Sequence, residues 1–137
     1  MRQARVAGAV LGGVVARAAA SAAAVVAPAS PAATQVERLY FGRNVGDTAV
    51  VSDSAWAAFV HAVLTPAFPD GATIWAADGR WRARDGRAVR EPSFVVELVH
   101  APTPDADARV RRVVAAYKRR FGQQAVLRVV MAARAEL

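Results

Sequence analysis

The sequence predicts an α+β fold in which four antiparallel strands form one sheet and two helices cover one of its faces. Two observations carry that expectation. Residues 68–100 read FPDGATIWAADGRWRARDGRAVREPSFVVELVH, a long β-hairpin folded at Asp85-Gly86, a dipeptide that accepts positive φ at both positions. On either side of the hairpin lies a segment with apolar residues at helical spacing, and beyond each of those a short run of β-formers.

The first strand is expected over residues 36–41, where apolar and polar side chains alternate, and it ends at Gly42. The loop Gly42-Arg43-Asn44-Val45-Gly46-Asp47 follows. Ser52 offers an N-cap oxygen and Asp53 a negative charge for the first helical turn. Trp56, Phe59, Val60 and Val63 then share one helical face, and Pro66 with Phe68-Pro69-Asp70-Gly71 is expected to end the helix. The hairpin arms are residues 72–82 and 88–99. Gly79 predicts a bulge in the first arm, and Pro92, lacking a donor, predicts a splay or an edge in the second. A two-residue turn would set Trp81 opposite Arg90 and Arg80 opposite Glu91, where a cation–π contact and an ion pair account for them without a ligand.

The second helix is expected from Pro104-Asp105, with Val110, Val113, Val114, Tyr117 and Phe121 as its apolar stripe and Gly122 as its C-terminal cap. Arg111, Arg112, Lys118 and Arg119 lie off that stripe. Lys118, Arg119 and Arg120 also complement the negative end of the helix dipole. Residues 125–131 make the last strand. The order strand, helix, strand, strand, helix, strand, joined by right-handed crossovers, describes a ferredoxin-like split βαβ sandwich (βαββαβ). Residues 34–137 are read as a single domain of this kind.

Composition narrows the chemistry. There is no cysteine, which removes disulfides, thiol nucleophiles and thiolate metal sites. His61 and His100 are the only histidines, so no metal site is expected. The formal charge is +7, and Lys118 is the only lysine among the cationic residues. Arginine can fork onto phosphate, but this bias is read as compositional, and no nucleic-acid binding is expected. The sequence holds no Ser/His/Asp arrangement and no Walker, Rossmann or helical zinc signature. No cofactor is expected.

The N-terminal residues 1–33 carry Arg2 and Arg5, then an apolar run, then an Ala/Ser/Pro tract containing Ala27-Pro28-Ala29. That is the order of a secretory signal. Arg17 interrupts the apolar run, and a disordered Ala/Pro-rich leader is the alternative. The expectation is an exported protein, periplasmic or extracellular, with no stable membrane span once the leader is removed. Loss of the three arginines Arg2, Arg5 and Arg17 lowers the charge from +7 to +4.

Several separated phrases then fall into a pattern: Glu37-Arg38-Leu39-Tyr40-Phe41-Gly42, Phe68-Pro69-Asp70-Gly71, Gly79-Arg80-Trp81-Arg82, Arg90-Glu91-Pro92-Ser93, and Tyr117-Lys118-Arg119-Arg120-Phe121-Gly122-Gln123 before Val126-Leu127-Arg128. In this order the chain resembles, from about residue 36 to 131, a family of small, often exported bacterial proteins known as a domain of unknown function (family 3574). It departs from that pattern at Arg80, where glutamine is usual. The resemblance implies export and a single domain, and transfers no site.

The candidate surfaces come from strand alternation. Leu39, Phe41, Phe94, Val96, Leu98, Leu127 and Val129 are assigned to the helix side. The open face then receives Arg38, Tyr40, Val95, Glu97, Val99, Val126, Arg128 and Val130, with either Trp75 or Ile74. Arg38, Tyr40, Glu97 and Arg128 are the candidate ligand-binding residues. Three readings of that face compete: burial against a second copy in a homodimer, since a bare apolar sheet normally has a cover; capture of a small anionic or amphipathic ligand; or catalysis with Glu97 as general base. The last is disfavoured because a carboxylate held by arginines stays ionised and makes a weak base. An alternative anion site is the loop after the first strand, Gly42, Arg43, Asn44 and Gly46, where backbone donors beside an arginine could cradle phosphate as in acylphosphatases. The expectation overall is a non-catalytic binding or self-association module.

Overall fold

Alternation of side chains along β1 (Thr34–Gly42) turns Glu37, Leu39 and Phe41 to one side of the sheet, where all three are buried, and Arg38 and Tyr40 to the other. The computed structural model describes residues 33–136, so the leader reading for residues 1–33 lies, apart from Ala33, outside the described residues. After β1 come a two-stranded ribbon of β2 (Asn44–Val45) and β3 (Ala49–Val50), and then helix α1 (residues 53–67). Strands β4 (Thr73–Arg82) and β5 (Ala88–His100) form the hairpin. Helix α2 (Pro104–Phe121) and strand β6 (Leu127–Ala133) complete the fold.

Helix α1 opens as Asp53–Phe59, passes through a π-wound turn, Val60–Leu64, and closes with Thr65–Ala67. Its N-cap is Ser52, whose Oγ accepts from the Ala55 N–H at 3.1 Å. The helix runs through Pro66 instead of stopping at it. The Thr65 N–H reaches back five residues to the Val60 carbonyl, and this wider turn accommodates a proline that has no N–H and whose ring crowds the preceding turn. Helix α2 is capped by Thr103, whose Oγ1 accepts from the Ala106 N–H, and it ends at Gly122 with φ 62°. A left-handed residue at this position suits glycine.

The main sheet has the order β4-β5-β1-β6 and is antiparallel throughout. Both helices pack on one face. Phe41, Trp56, Phe59 and Tyr117 meet there with centroid separations of 4.7 to 6.1 Å, and Leu39, Val96, Leu98, Val110 and Val113 complete the core. The Tyr117 hydroxyl donates to the Gly42 carbonyl at 2.8 Å, and burial pushes its pKa up to about 12. Among the described residues no helix is long and apolar enough to cross a membrane.

The hairpin differs from the sequence reading by one residue. Its loop is Arg84-Asp85-Gly86, not the two-residue Asp85-Gly86. The Gly86 N–H donates to Ala83, the Ala83 N–H donates to Arg87, and Gly86 has φ 90°. A three-residue loop with a left-handed glycine is a stable hairpin solution of its own. Consequently Arg80 stands opposite Arg90 and Trp81 opposite Val89. Gly79 makes no bulge: it pairs with Glu91 in unbroken register, and a Cβ there would lie 2.8 Å from the Glu91 carbonyl oxygen. Pro92 does not splay the arms either. It pairs with Asp78, and its carbonyl accepts the Arg43 N–H at 2.9 Å.

The larger correction concerns β6. Register pairs Leu39 with Arg128 and Glu37 with Val130, while Arg38 faces Val129 and Tyr40 faces Leu127. Arg128, Val126 and Val130 therefore belong to the helix side, and Leu127, Val129 and Met131 to the open face. The sequence reading put the more apolar set inward. At a sheet edge that preference is weak, because an edge strand is only half covered and the inward position here is filled by an arginine paired with the buried Glu37 and the partly exposed Asp107.

Candidate functional site

The open face carries a row that crosses all four strands: Trp75 on β4, Val95 on β5, Tyr40 on β1 and Leu127 on β6. These four are joined by register, so their side chains rise from the sheet on the same side. Val95, in the middle, is buried by its neighbours, whereas Trp75 is 39% and Leu127 61% exposed. One row down, Arg38 donates through Nε to Glu97 Oε2 at 2.7 Å, flanked by Val129. The Glu97 hydrogen bond raises the Arg38 pKa above its ordinary value. Val99, half exposed at 51%, continues the apolar surface. Trp75, not Ile74, is the hairpin residue on this face, since Ile74 pairs with Val96 on the helix side.

Of the four ligand-binding candidates, Arg38, Tyr40 and Glu97 are thus brought together, and Arg128 is not. Arg128 lies beneath the sheet, where it forks onto Glu37: Nε to Oε2 and a terminal nitrogen to Oε1, both at 2.7 Å. Its other terminal nitrogen meets Asp107 of α2 at 2.7 Å. Glu37 is fully buried. It also accepts from Gln35 Nε2 at 2.7 Å, and His100 Nε2 stands 3.4 Å from its Oε1. The other ring nitrogen of His100 faces the Ala101 carbonyl at 2.8 Å. A carbonyl can only accept, so Nδ1 carries a proton. The hydrogen bond to Glu37, with that to Asp107 behind it, holds the Arg128 pKa above its usual range, and the same arginine holds the Asp107 carboxyl below its own. Glu37 was the residue missed by sequence reasoning. The signal was present: once Leu39 and Phe41 face the helices, alternation sends Glu37 with them, and a carboxylate on a buried parity demands a cationic partner.

The glycine-bracketed loop is a small ribbon. Its Arg43 is occupied: Nε and a terminal nitrogen both donate to the Val51 carbonyl, and that terminal nitrogen also meets Asp53 at 2.7 Å. The guanidinium also lies 4.7 Å from the centre of the Phe94 ring. Asn44 donates to Arg90 and accepts, through its carbonyl, from Gln123. Gly46 supplies a left-handed turn with φ 59°, and Gly42 leaves room for the Glu91 carboxylate, which lies where a Cβ would stand. These contacts stabilise the β1–α1 connection. At the hairpin end Asp78 lies between the two opposed arginines, 2.8 Å from Arg90 and 3.5 Å from Arg80, and Trp81 Nε1 donates to Glu91 at 3.1 Å. Among the described residues no group of three or more acidic or histidine side chains is placed to hold a metal ion.

A family described as protein of unknown function (DUF3574) matches residues 36–137. No curated protein matches the chain. Among solved structures the chain is similar to a phage SAM lyase in complex with S-methyl-5'-thioadenosine, at 17% identity and a TM-score of 0.59, over 80% of this chain and 88% of that one. The same enzyme's apo state matches at 16% identity and a TM-score of 0.57, over 73% and 81% of the two chains. At such identities the likeness is one of fold.

Proposed function

The chain belongs to the DUF3574 family of proteins of unknown function, and from that premise we propose that it is a non-catalytic binding module whose open sheet face is closed by a second copy of itself. The observation that carries the reading is the apolar row Trp75–Val95–Tyr40–Leu127, which spans the whole sheet on the face that no helix among the described residues covers. Large apolar side chains exposed at both ends of this row, Trp75 and Leu127, favour an interaction site. The neighbouring charges favour a like partner: Arg38 and Glu97 neutralise each other at 2.7 Å, so this pair meets a copy already matched. The strand order supports a ferredoxin-like split βαβ domain over residues 34–137, and the basic, apolar, small-residue order of the leader supports export.

The test is the mass of the chain in solution. A dimer is expected by sedimentation at micromolar concentration, and Leu127→Arg is expected to return it to monomer. Because Leu127 is 61% exposed, that change should move folding stability by no more than about 0.5 kcal/mol. A wild-type monomer, or a variant that stays dimeric, removes the reading. Calorimetric titration with S-methyl-5'-thioadenosine, the ligand named for the phage lyase, separates the enzyme-like alternative at Arg38 and Glu97. Saturable binding that Glu97→Gln abolishes would replace self-association with a nucleoside site.

A further inference from the structure

On the helix side, between α2 and β6, lies a cleft of about 630 Å³, a volume within the ordinary range of small-ligand sites. Its apolar walls are Val114 and Ala115 of α2 and Val126 just before β6, over the fully buried Val110. Its border is basic, formed by Arg111, Lys118, Arg119 and Arg128, and no acidic residue lines it. Two of those cations are already matched: Arg111 by Asp107, and Arg128 by Glu37 and Asp107. Lys118 and Arg119 have no ion-pair partner among the described residues. A second, smaller cleft nearby, of about 370 Å³, is lined by Asp107 together with Arg128 and is internally matched.

We propose that the larger cleft binds an amphipathic anion, a carboxylate on an unbranched alkyl chain, with the tail along Val114, Ala115 and Val126 and the head at Lys118 and Arg119. Position supports the assignment. From Arg111 to Lys118 the helix advances about 10 Å at 1.5 Å per residue, the scale of a medium-length alkyl chain. The last turn of a helix repels anions through a dipole equivalent to about half a charge, but two full cations at the cleft outweigh it. Dipole compensation alone also explains neither the apolar walls nor the need for Lys118 and Arg119 beside Arg120. A nucleic acid would not suit the site, because its phosphates and riboses offer nothing to a floor of valines.

The experiment is calorimetric titration of the full chain with sodium laurate below its micelle concentration, and with dodecyltrimethylammonium, which has the same tail and the opposite head. Laurate is expected to bind saturably, and the ammonium compound at least about tenfold more weakly. The double variant Lys118→Glu, Arg119→Glu, with its fold checked by circular dichroism, is expected to lose laurate affinity by a similar factor, while Ala115→Trp, which fills the cleft, removes binding. Equal binding of the two amphiphiles, no heat with laurate, or undiminished affinity in the charge-reversed variant overturns the proposal. So does a change in sedimenting mass on Ala115→Trp, which would make the cleft an interface between copies.

Discussion

Arg128→Ala is expected to lower the free energy of unfolding by about 3–5 kcal/mol, the cost of breaking a buried ion pair from one side. The size follows from what the change leaves behind. Glu37 is fully buried, and Arg128 provides two of its hydrogen bonds; without them a carboxylate remains in the core with Gln35 as its nearest donor. Asp107 loses a partner in the same step. Urea unfolding of the wild type and the variant measures the difference, and a loss below about 1 kcal/mol, the range of exposed pairs, would contradict the account. Replacing both residues by leucine should cost much less than Arg128→Ala alone, because it removes the stranded charge with its counter-ion. An arginine serving only a ligand would instead be dispensable for folding.

Acid provides an independent check on the same network. Arg128 holds the Asp107 carboxyl below its usual range, so folding is favoured while the carboxylate is ionised. That contribution is present above the unfolded-state pKa near 4, and it is lost as pH falls through the lower folded value. In Arg128→Ala this part of the acid dependence should shrink, leaving a shallower fall in stability below about pH 4.

Phe59→Ala should be comparably severe, about 3–5 kcal/mol for a large aromatic removed from a closed core. Phe59 is fully buried, and its ring lies 6.1 Å from Phe41, 5.8 Å from Trp56, 5.2 Å from Tyr117 and 6.0 Å from Phe121. It thus joins both helices to the sheet, and its loss opens a cavity bounded by four rings that cannot all move inward. Denaturant unfolding is expected to show a lower midpoint with an unchanged slope. A loss below about 1.5 kcal/mol, as for a volume-conserving swap, would mean that the rings close the gap.

Much of this architecture is legible in the sequence because its determinants are local. Ser52, Gly122 and the valines of α2 announce their helices through caps and spacing, and the four main strands appear where the apolar pattern placed them. The antiparallel pairing of Arg38 with Glu97 follows from the same pattern. What escaped was register and parity, which single residues decide and distant partners enforce. Counting Asp85-Gly86 as the whole turn shifts every pair in the hairpin by one, and only the backbone bonds of Ala83 and Arg87 reveal the extra residue. On β6 hydrophobicity favours the set of Leu127 and Val129 over that of Arg128, but the choice is made by Glu37, remote in sequence. The turn before Pro66 was invisible for another reason, since a helix can absorb a proline by winding more widely.

Glu37 and Arg128 are separated by 91 positions along the chain. The carboxylate arrives with the first strand and its counter-ion with the last, so during synthesis β1 can pair with β5 while its core-facing charge still lacks the arginine. The central strand therefore cannot settle at full stability until the final strand has emerged. A chain truncated before β6 would expose the edge of β1 and leave an ionised group against its own hydrophobic interior, which makes the arrival of β6 a condition for burying it.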